Sequence, residues 1–500
     1  MGIDFDFSRR HRPRPPQVPV PPALPDGAIT LSVPESALPA ALRRQTTAQA
    51  ESLIWLGASG SRKSTAMLRY WVRAIAYEYE KVEPRNRRTF ILNDFKGDAA
   101  EGLLQGLAAE VPQALSNTYF LNPFAKSSSD GAFPYNLARA DAVGTPSDLR
   151  ARAFAYLVGR AANTGVLAVP LGGRQLELIA ALAHAIFESD HPNASLVWAA
   201  DALGEVNGIS RLASHCRSDR ARRLLLSLRL PPDVLASTGT RIRSFLCGYE
   251  DLENMVAAPS CIDWRVLTAP GAVTICHLGE PPGASVELAE FFGNVLIRGC
   301  FDFLLGSRSS PSDAHAATVA IDECQMAAGA LQDSLRRVLE QGRSRNVQAQ
   351  LICQGTRPLR DASGALFESL LTNAAYKVSG RLSAGDASLY VREALGPGVS
   401  ANAANRIAAE LVSLAPGEFF FAEGDGRPRR FTAAAPDLAA WREAGVRRAA
   451  EIAAVKRRLC PSPLPPAVHL FDVPAGRHVG GTDHRTDDVQ PPRKQRSRLG

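Results

Sequence analysis

The run Leu53-Ile54-Trp55-Leu56-Gly57-Ala58-Ser59-Gly60-Ser61-Arg62-Lys63-Ser64-Thr65 decides the fold class. Its four leading apolar residues predict a buried strand. A Gly/Ser-rich turn comes next, and a helical pattern runs from Thr65 to Tyr79. The turn approximates G-x-x-x-x-G-K-[ST], in which loop N–H groups cradle phosphates and the lysine reaches the β/γ-phosphates. Gly57, Lys63 and Ser64 stand at their expected places, whereas Arg62 replaces the second glycine. A side chain there is expected to crowd a phosphate, because glycine serves where backbone must approach a ligand closely. The loop names a phosphate-bearing ligand, and Arg62 questions whether that ligand is turned over.

Outward from the loop, strand-like runs fall into two groups. Thr89–Leu92 and Tyr119–Leu121 follow the first strand, with a helical pattern over Asp98–Glu110 between them, and this alternation predicts a parallel sheet. The second group holds Ala272–Ile275, Thr318–Ile321, Ala349–Ile352 and Ala375–Val378, and then a hairpin, Glu418–Phe421 with Arg430–Thr432, turning at Gly424-Asp425-Gly426. The stretch between the groups has helical periodicity, as in Leu176-Glu177-Leu178-Ile179-Ala180-Ala181-Leu182, and few strand-like runs. The expected architecture is α/β, one domain split by an all-helical insertion. Its divisions are a Pro/Arg-rich arm over 1–45, a first half over 46–140, the insertion over 141–265, a second half over 266–435, a helix over 436–460 and a solvated basic tail over 461–500.

Bulk properties narrow the classes. Five hundred residues, 45% of them apolar, suffice for two or three domains. A net charge of +7 suits a polyanionic partner. The eight cysteines form no C-x-x-C pair and several lie in apolar runs, so free buried thiols in a reducing cytoplasm are expected. The nine histidines show no metal-ligand spacing. No run approaches the ~18 apolar residues of a membrane span, and Met1-Gly2-Ile3-Asp4 opens no signal peptide.

The second group supplies what a nucleotide site needs. Thr318-Val319-Ala320-Ile321-Asp322-Glu323 is an apolar strand ending in two carboxylates. At such an edge Asp322 is placed to hold Mg²⁺, directly or through water, and Glu323 to orient and deprotonate an attacking water. A charge pair at a helix N-terminus is the plainer alternative. Further on, the helical run from Asp333 ends at Gly342-Arg343-Ser344-Arg345, and the strand Leu351-Ile352-Cys353 puts Gln354 at its tip, where a polar residue senses a γ-phosphate or merely occupies a loop.

The order of these segments resembles the FtsK/HerA superfamily of DNA-pumping P-loop ATPases, and within it the type IV secretion coupling proteins of conjugation. Asn93-Asp94-Phe95-Lys96-Gly97-Asp98 is similar to the family's D-x-K-G-D segment, and Asn122-Pro123-Phe124 with Tyr135-Asn136-Leu137 to its P-F…N-P-L region. Ile321-Asp322-Glu323 looks like its acidic strand end, and Gly342-Arg343-Ser344-Arg345-Asn346-Val347 with Gln354 like its G-R-x-x-G…Q stretch. The matches span roughly 53–435. Arg62 departs from the family's pattern, and so does the lack of its N-terminal membrane helices.

The resemblance implies a RecA-like domain binding ATP and Mg²⁺. Gly57, Ala58, Ser59, Gly60, Ser61, Arg62, Lys63, Ser64 and Thr65 would form the nucleotide loop, with Ser64 and Asp322 on the metal. Lys63 would bind the β/γ-phosphates, Glu323 would activate water and Gln354 would sense the γ-phosphate. Arg343, with Arg345 and Arg381 as rivals, would reach a neighbouring subunit's site; the plainer role for a helix-end arginine is to satisfy carbonyls. A homohexamer gripping DNA without reading its sequence is implied. So is a relaxosome or secretion-apparatus partner, for a bacterial cytoplasmic protein either free or held at the inner membrane through partners. Two rivals remain: a ring scaffold whose Arg62 blocks hydrolysis, and a motor that moves or recruits protein.

Overall fold

In a computed structural model the described residues are 52–474, apart from 126, 140–145, 162–170, 229, 247–249, 280–285, 308–314, 395–399, 424–427 and 434. The basic arm, the last part of the tail, the hairpin turn at Gly424–Gly426 and Cys247 lie outside them.

The two strand groups interleave into one nine-stranded sheet. In chain order the strands are β1 (Ser52–Leu56), β2 (Thr89–Asp94), β3 (Thr118–Leu121), β4 (Val273–His277), β5 (Ala317–Asp322), β6 (Val347–Cys353), β7 (Ala374–Ser379), β8 (Glu418–Glu423) and β9 (Arg429–Thr432). Across the sheet they run β3-β4-β2-β5-β6-β1-β7-β8-β9. The first seven are mutually parallel, and β8 and β9 add an antiparallel edge. The parallel strands read as largely apolar runs because both their faces are covered. Leu53 and Trp55 point into one core while Ile54 and Leu56 point into the other.

On the first face pack the helices Lys63–Lys81 and Asp98–Glu110, joined by Leu438–Arg447, whose Trp441 Nε1 donates to Glu110 Oε1 at 2.7 Å. The opposite face carries Val286–Gly306, Gln325–Gln341 and Gly364–Asn373. That second core runs on without a break into the insertion, where helices from Ser147–Ala161 to Trp264–Leu267 follow one another. Its entry and exit are tied together: Tyr135 N donates to Met255 O at 3.0 Å, and Ile262 N to Pro134 O at 3.0 Å. Fully buried Asn136 donates to both Ala194 O and Ala258 O at 2.9 Å, which makes it a clamp on this junction.

One expectation is corrected. Residues 461–474, assigned to the solvated tail from their proline content, lie as a strap against the insertion. Trp198 Nε1 donates to Val468 O at 2.9 Å, and Arg211 reaches the carbonyls of Leu470, Phe471 and Val473. Asp201 Oδ2 accepts from Leu470 N at 2.8 Å. Leu470 and Val473 are buried, so two apolar anchors and a set of backbone acceptors hold a segment whose composition reads as loop. The thiols of Cys216, Cys276, Cys300, Cys324, Cys353 and Cys460 are buried and unpaired by disulfides; Cys261 is half-buried.

Candidate functional site

The C-terminal ends of β1, β5, β6 and β7 meet around the loop that follows β1. Gly57 N donates to Cys353 O at 3.2 Å and Ala58 N to Arg381 O at 2.8 Å, so the loop hangs between the tips of β6 and β7. A Cβ at Gly57 would lie 2.6 Å from Ser61 Oγ, which explains the glycine there. Arg62 adopts φ 64°, ψ 24°, the left-handed geometry that glycine usually supplies, and its residue is exposed. Glycine is therefore replaced here at a conformational cost of about 1–2 kcal/mol.

The helix Lys63–Lys81 begins directly after Arg62, with no side-chain cap and no acidic residue in its first turn. Its free N–H groups and positive dipole end therefore face the loop, the arrangement that binds anions. Ser61 Oγ is buried beside them without a hydrogen-bond partner. Both observations fit a bound phosphate chain.

Lys63, buried, extends to Glu323, with Nζ 3.9 Å from Oε1. Ser64 Oγ donates to Asp322 Oδ2 at 3.0 Å. Asp322 is buried, and burial pushes its carboxyl up to about 6; the neighbouring charges of Asp94 and Glu323 add to this, against Lys63 and Ser64. Glu323, directly after β5, stands at φ 56°, in the left-handed region. It is held by Gln354 Nε2 at 3.0 Å, by Gln325 Nε2 at 2.6 Å and by an ion pair with Lys96. Burial works to raise its pKa, but the hydrogen bonds from Lys96, Gln354 and Gln325 and the Lys63 charge outweigh this and leave it lowered.

The structure thus gathers the 57–65 loop, Asp322, Glu323 and Gln354 in one place. It does not bring Arg343 there. Arg343 lies in the turn Gly342–Arg345 before β6. The seven residues of β6 put it roughly 23 Å from the loop end of the sheet. Arg381, by contrast, sits beside its own chain's loop, exposed.

Three site members were given no role by the sequence reading. Lys96 neutralises Glu323. Gln325 is a second amide on that carboxylate. Asp94, fully buried and opposite Asp322 in the β2–β5 register, accepts from Lys96 N at 3.0 Å and Ala100 N at 2.8 Å. Asp94 thereby shapes the turn that delivers Lys96. The Asp94-Phe95-Lys96-Gly97-Asp98 segment was the available signal for two of them.

An uncapped helix behind a β1 loop, with an acidic pair two strands away, defines a P-loop NTPase of RecA-like fold, split by a helical insertion. No protein-family model matches the chain, and no curated protein sequence matches it. Among solved structures it is similar to VirB4 of Thermoanaerobacter pseudethanolicus, at 13% identity and a TM-score of 0.52, over 78% of this chain and 91% of that one. It is also similar to the bacterial conjugative coupling protein TrwBdeltaN70 in its unbound monoclinic form, at 15% identity and a TM-score of 0.48, over 82% and 92% of the two chains. The plasmid coupling protein TrwB in complex with ADP and Mg²⁺ is similar at 14% identity and a TM-score of 0.48, over 82% and 94%. Among the described residues no helix is long and apolar enough to cross a membrane.

Proposed function

We propose that the protein is an Mg²⁺-dependent ATPase that moves DNA without reading its sequence, working as a homohexameric ring. One observation carries the reading: Lys63 and Ser64 of an uncapped phosphate-binding loop converge on the Asp322–Glu323 pair.

In this reading Lys63 and the loop N–H groups bind the β- and γ-phosphate oxygens. Ser64 and Asp322 hold Mg²⁺, and the chemistry a bound Mg²⁺ supplies is neutralisation of charge on those oxygens. Glu323 orients a water and takes its proton, for which it must release one of the donors that now hold it. Gln354, bonded to Glu323, links that carboxylate to the tip of β6. Arg343, remote from its own loop, is assigned to a neighbouring copy's site, where a guanidinium stabilises transition-state charge. A relaxosome or secretion-apparatus protein is the expected docking partner.

Phosphate release, measured with and without DNA, tests the proposal. Glu323→Gln should retain binding of an ATP analogue while turnover falls about 10³-fold or more. Wild-type turnover no greater than that of Glu323→Gln, with DNA present, would replace this reading with a nucleotide-binding scaffold.

A further inference from the structure

Beyond Gln354 the chain enters a basic groove to which no role has been assigned. The segment Gly355-Thr356-Arg357 is clamped onto the helix Ala384–Ala394 by a single carboxylate. Asp386 Oδ1 accepts from Thr356 Oγ1 at 2.7 Å and from Arg357 N at 2.8 Å, and Asp386 Oδ2 accepts from Ser383 Oγ at 2.6 Å. Between that helix and Thr356–Ala362 opens a cavity of about 670 Å³. Its lining includes Arg357, Arg360 and Arg392, with Ser388, Asp361 and Leu389.

The chemistry of this lining selects its ligand. Three arginines face one carboxylate, and among the described residues no ion pair or side-chain hydrogen bond engages the guanidinium of Arg357 or Arg360. Among the described residues Arg392 pairs with its exposed neighbour Glu393, 2.9 Å away, a contact of little energy that is readily exchanged. A would-be Cβ at Gly385 falls 2.5 Å from Arg357 Nη2, so that guanidinium rests against the helix at its glycine. Guanidinium forks match phosphate oxygens in pairs. Among the described residues no aromatic ring lines the cavity to stack a base. Arg357 and Arg360 lie three residues apart on one helix, and Ser388 and Arg392 four apart on the other, so the donors form two facing rows. Two rows suit an extended polyanion better than a single phosphate.

We infer that Arg357, Arg360 and Arg392 form a binding groove for the phosphodiester backbone of a nucleic-acid strand, joined through Gly355 to the Gln354–Glu323 contact. The inference rests on the DNA-motor reading and names the surface through which that site meets its substrate. A strand that shifts the Arg357 segment pulls on Gln354, which holds Glu323.

The test uses the full chain and a fluorescent single-stranded oligonucleotide, titrated at two salt concentrations. The triple variant Arg357→Ala/Arg360→Ala/Arg392→Ala should bind about tenfold more weakly or worse, and its salt slope should shrink by about two. The matching triple lysine variant keeps the charges and should recover most of the slope. Melting curves check that each variant is folded. Unlabelled oligonucleotide should displace the probe, whereas inorganic phosphate and polyglutamate should not at equal charge. Unchanged affinity and slope in the alanine variant would overturn the groove and leave the DNA-motor reading standing. A wild-type chain that binds no oligonucleotide at low salt would overturn both. Displacement by polyglutamate as effective as by oligonucleotide would reassign the groove to an acidic peptide.

Discussion

At position 62 the loop needs a left-handed backbone, and arginine supplies it with an exposed side chain. The replaced glycine therefore concerns an angle as much as crowding. Arg62→Gly removes about 1–2 kcal/mol of conformational cost but frees the unfolded chain by about 0.5–1 kcal/mol. ATP-analogue affinity, measured by titration, should change less than tenfold or fall. A gain beyond tenfold, about 1.4 kcal/mol, would mark Arg62 as inhibitory.

Asp322 gives a second prediction. Its folded pKa, about 6, lies above the ordinary carboxylate value, so the folded state holds the proton more tightly. The stability this brings is full below about pH 4 and is lost as pH rises through 6. Without nucleotide, Asp322→Asn should melt higher than wild type at pH 8, by the equivalent of about 2–3 kcal/mol. The gap should close below pH 4. An equal gap at both pH values would place the cause elsewhere than in the buried charge. Lys63, Ser64, Asp322, Glu323 and Gln354 were legible because each follows a strand at a motif spacing. Gln325 was not, because its contact with Glu323 depends on the left-handed backbone at φ 56°, which no periodicity encodes.

Among the elements, the parallel strands were visible as apolar runs and the last two as a hairpin, but their order was not. β4 enters between β3 and β2, a placement set by the helical crossovers and by face-to-face packing, neither of which leaves a trace in local composition. A buried polar network was equally hidden. Arg88, just before β2, bonds Thr318 Oγ1 at 2.9 Å and Gln348 Oε1 at 3.1 Å, and it faces Glu78 of the helix Lys63–Lys81. Glu78 Oε2 in turn accepts from Arg88 N at 3.0 Å. Arg88→Met keeps the backbone hydrogen bond to Glu78 but leaves its buried carboxylate without a guanidinium partner, at a cost of about 3–5 kcal/mol. Adding Glu78→Gln should return much of that loss, giving a clear coupling energy in a urea-denaturation double-mutant cycle. Additive losses would mean that the two side chains act independently.

For the whole molecule, the strap over 461–474 separates two truncations. Ending the chain at 474 removes a net-basic segment that closes with Arg493, Lys494, Arg496 and Arg498, and oligonucleotide affinity should fall only modestly if the folded part carries the main contacts. Ending it at 460 strips partners from Trp198, Asp201 and Arg211 as well. Amide exchange in Val197–Gly204 and Gly208–Ser214 should then accelerate, while the helix Lys63–Lys81 stays protected. Equal exchange in both truncations would show that the strap adds nothing to the insertion.

The strap also changes how the two units can move. An insertion joined to its host only where the chain leaves and returns can swing about those two pivots. Here the polypeptide crosses a third time, over 461–469, nine residues that reach at most about 30 Å when drawn out. A third anchorage, added to the core that runs unbroken across the junction, opposes swinging about the other two. How far the helical unit can be displaced from the sheet is then capped by the length at which that tether comes taut.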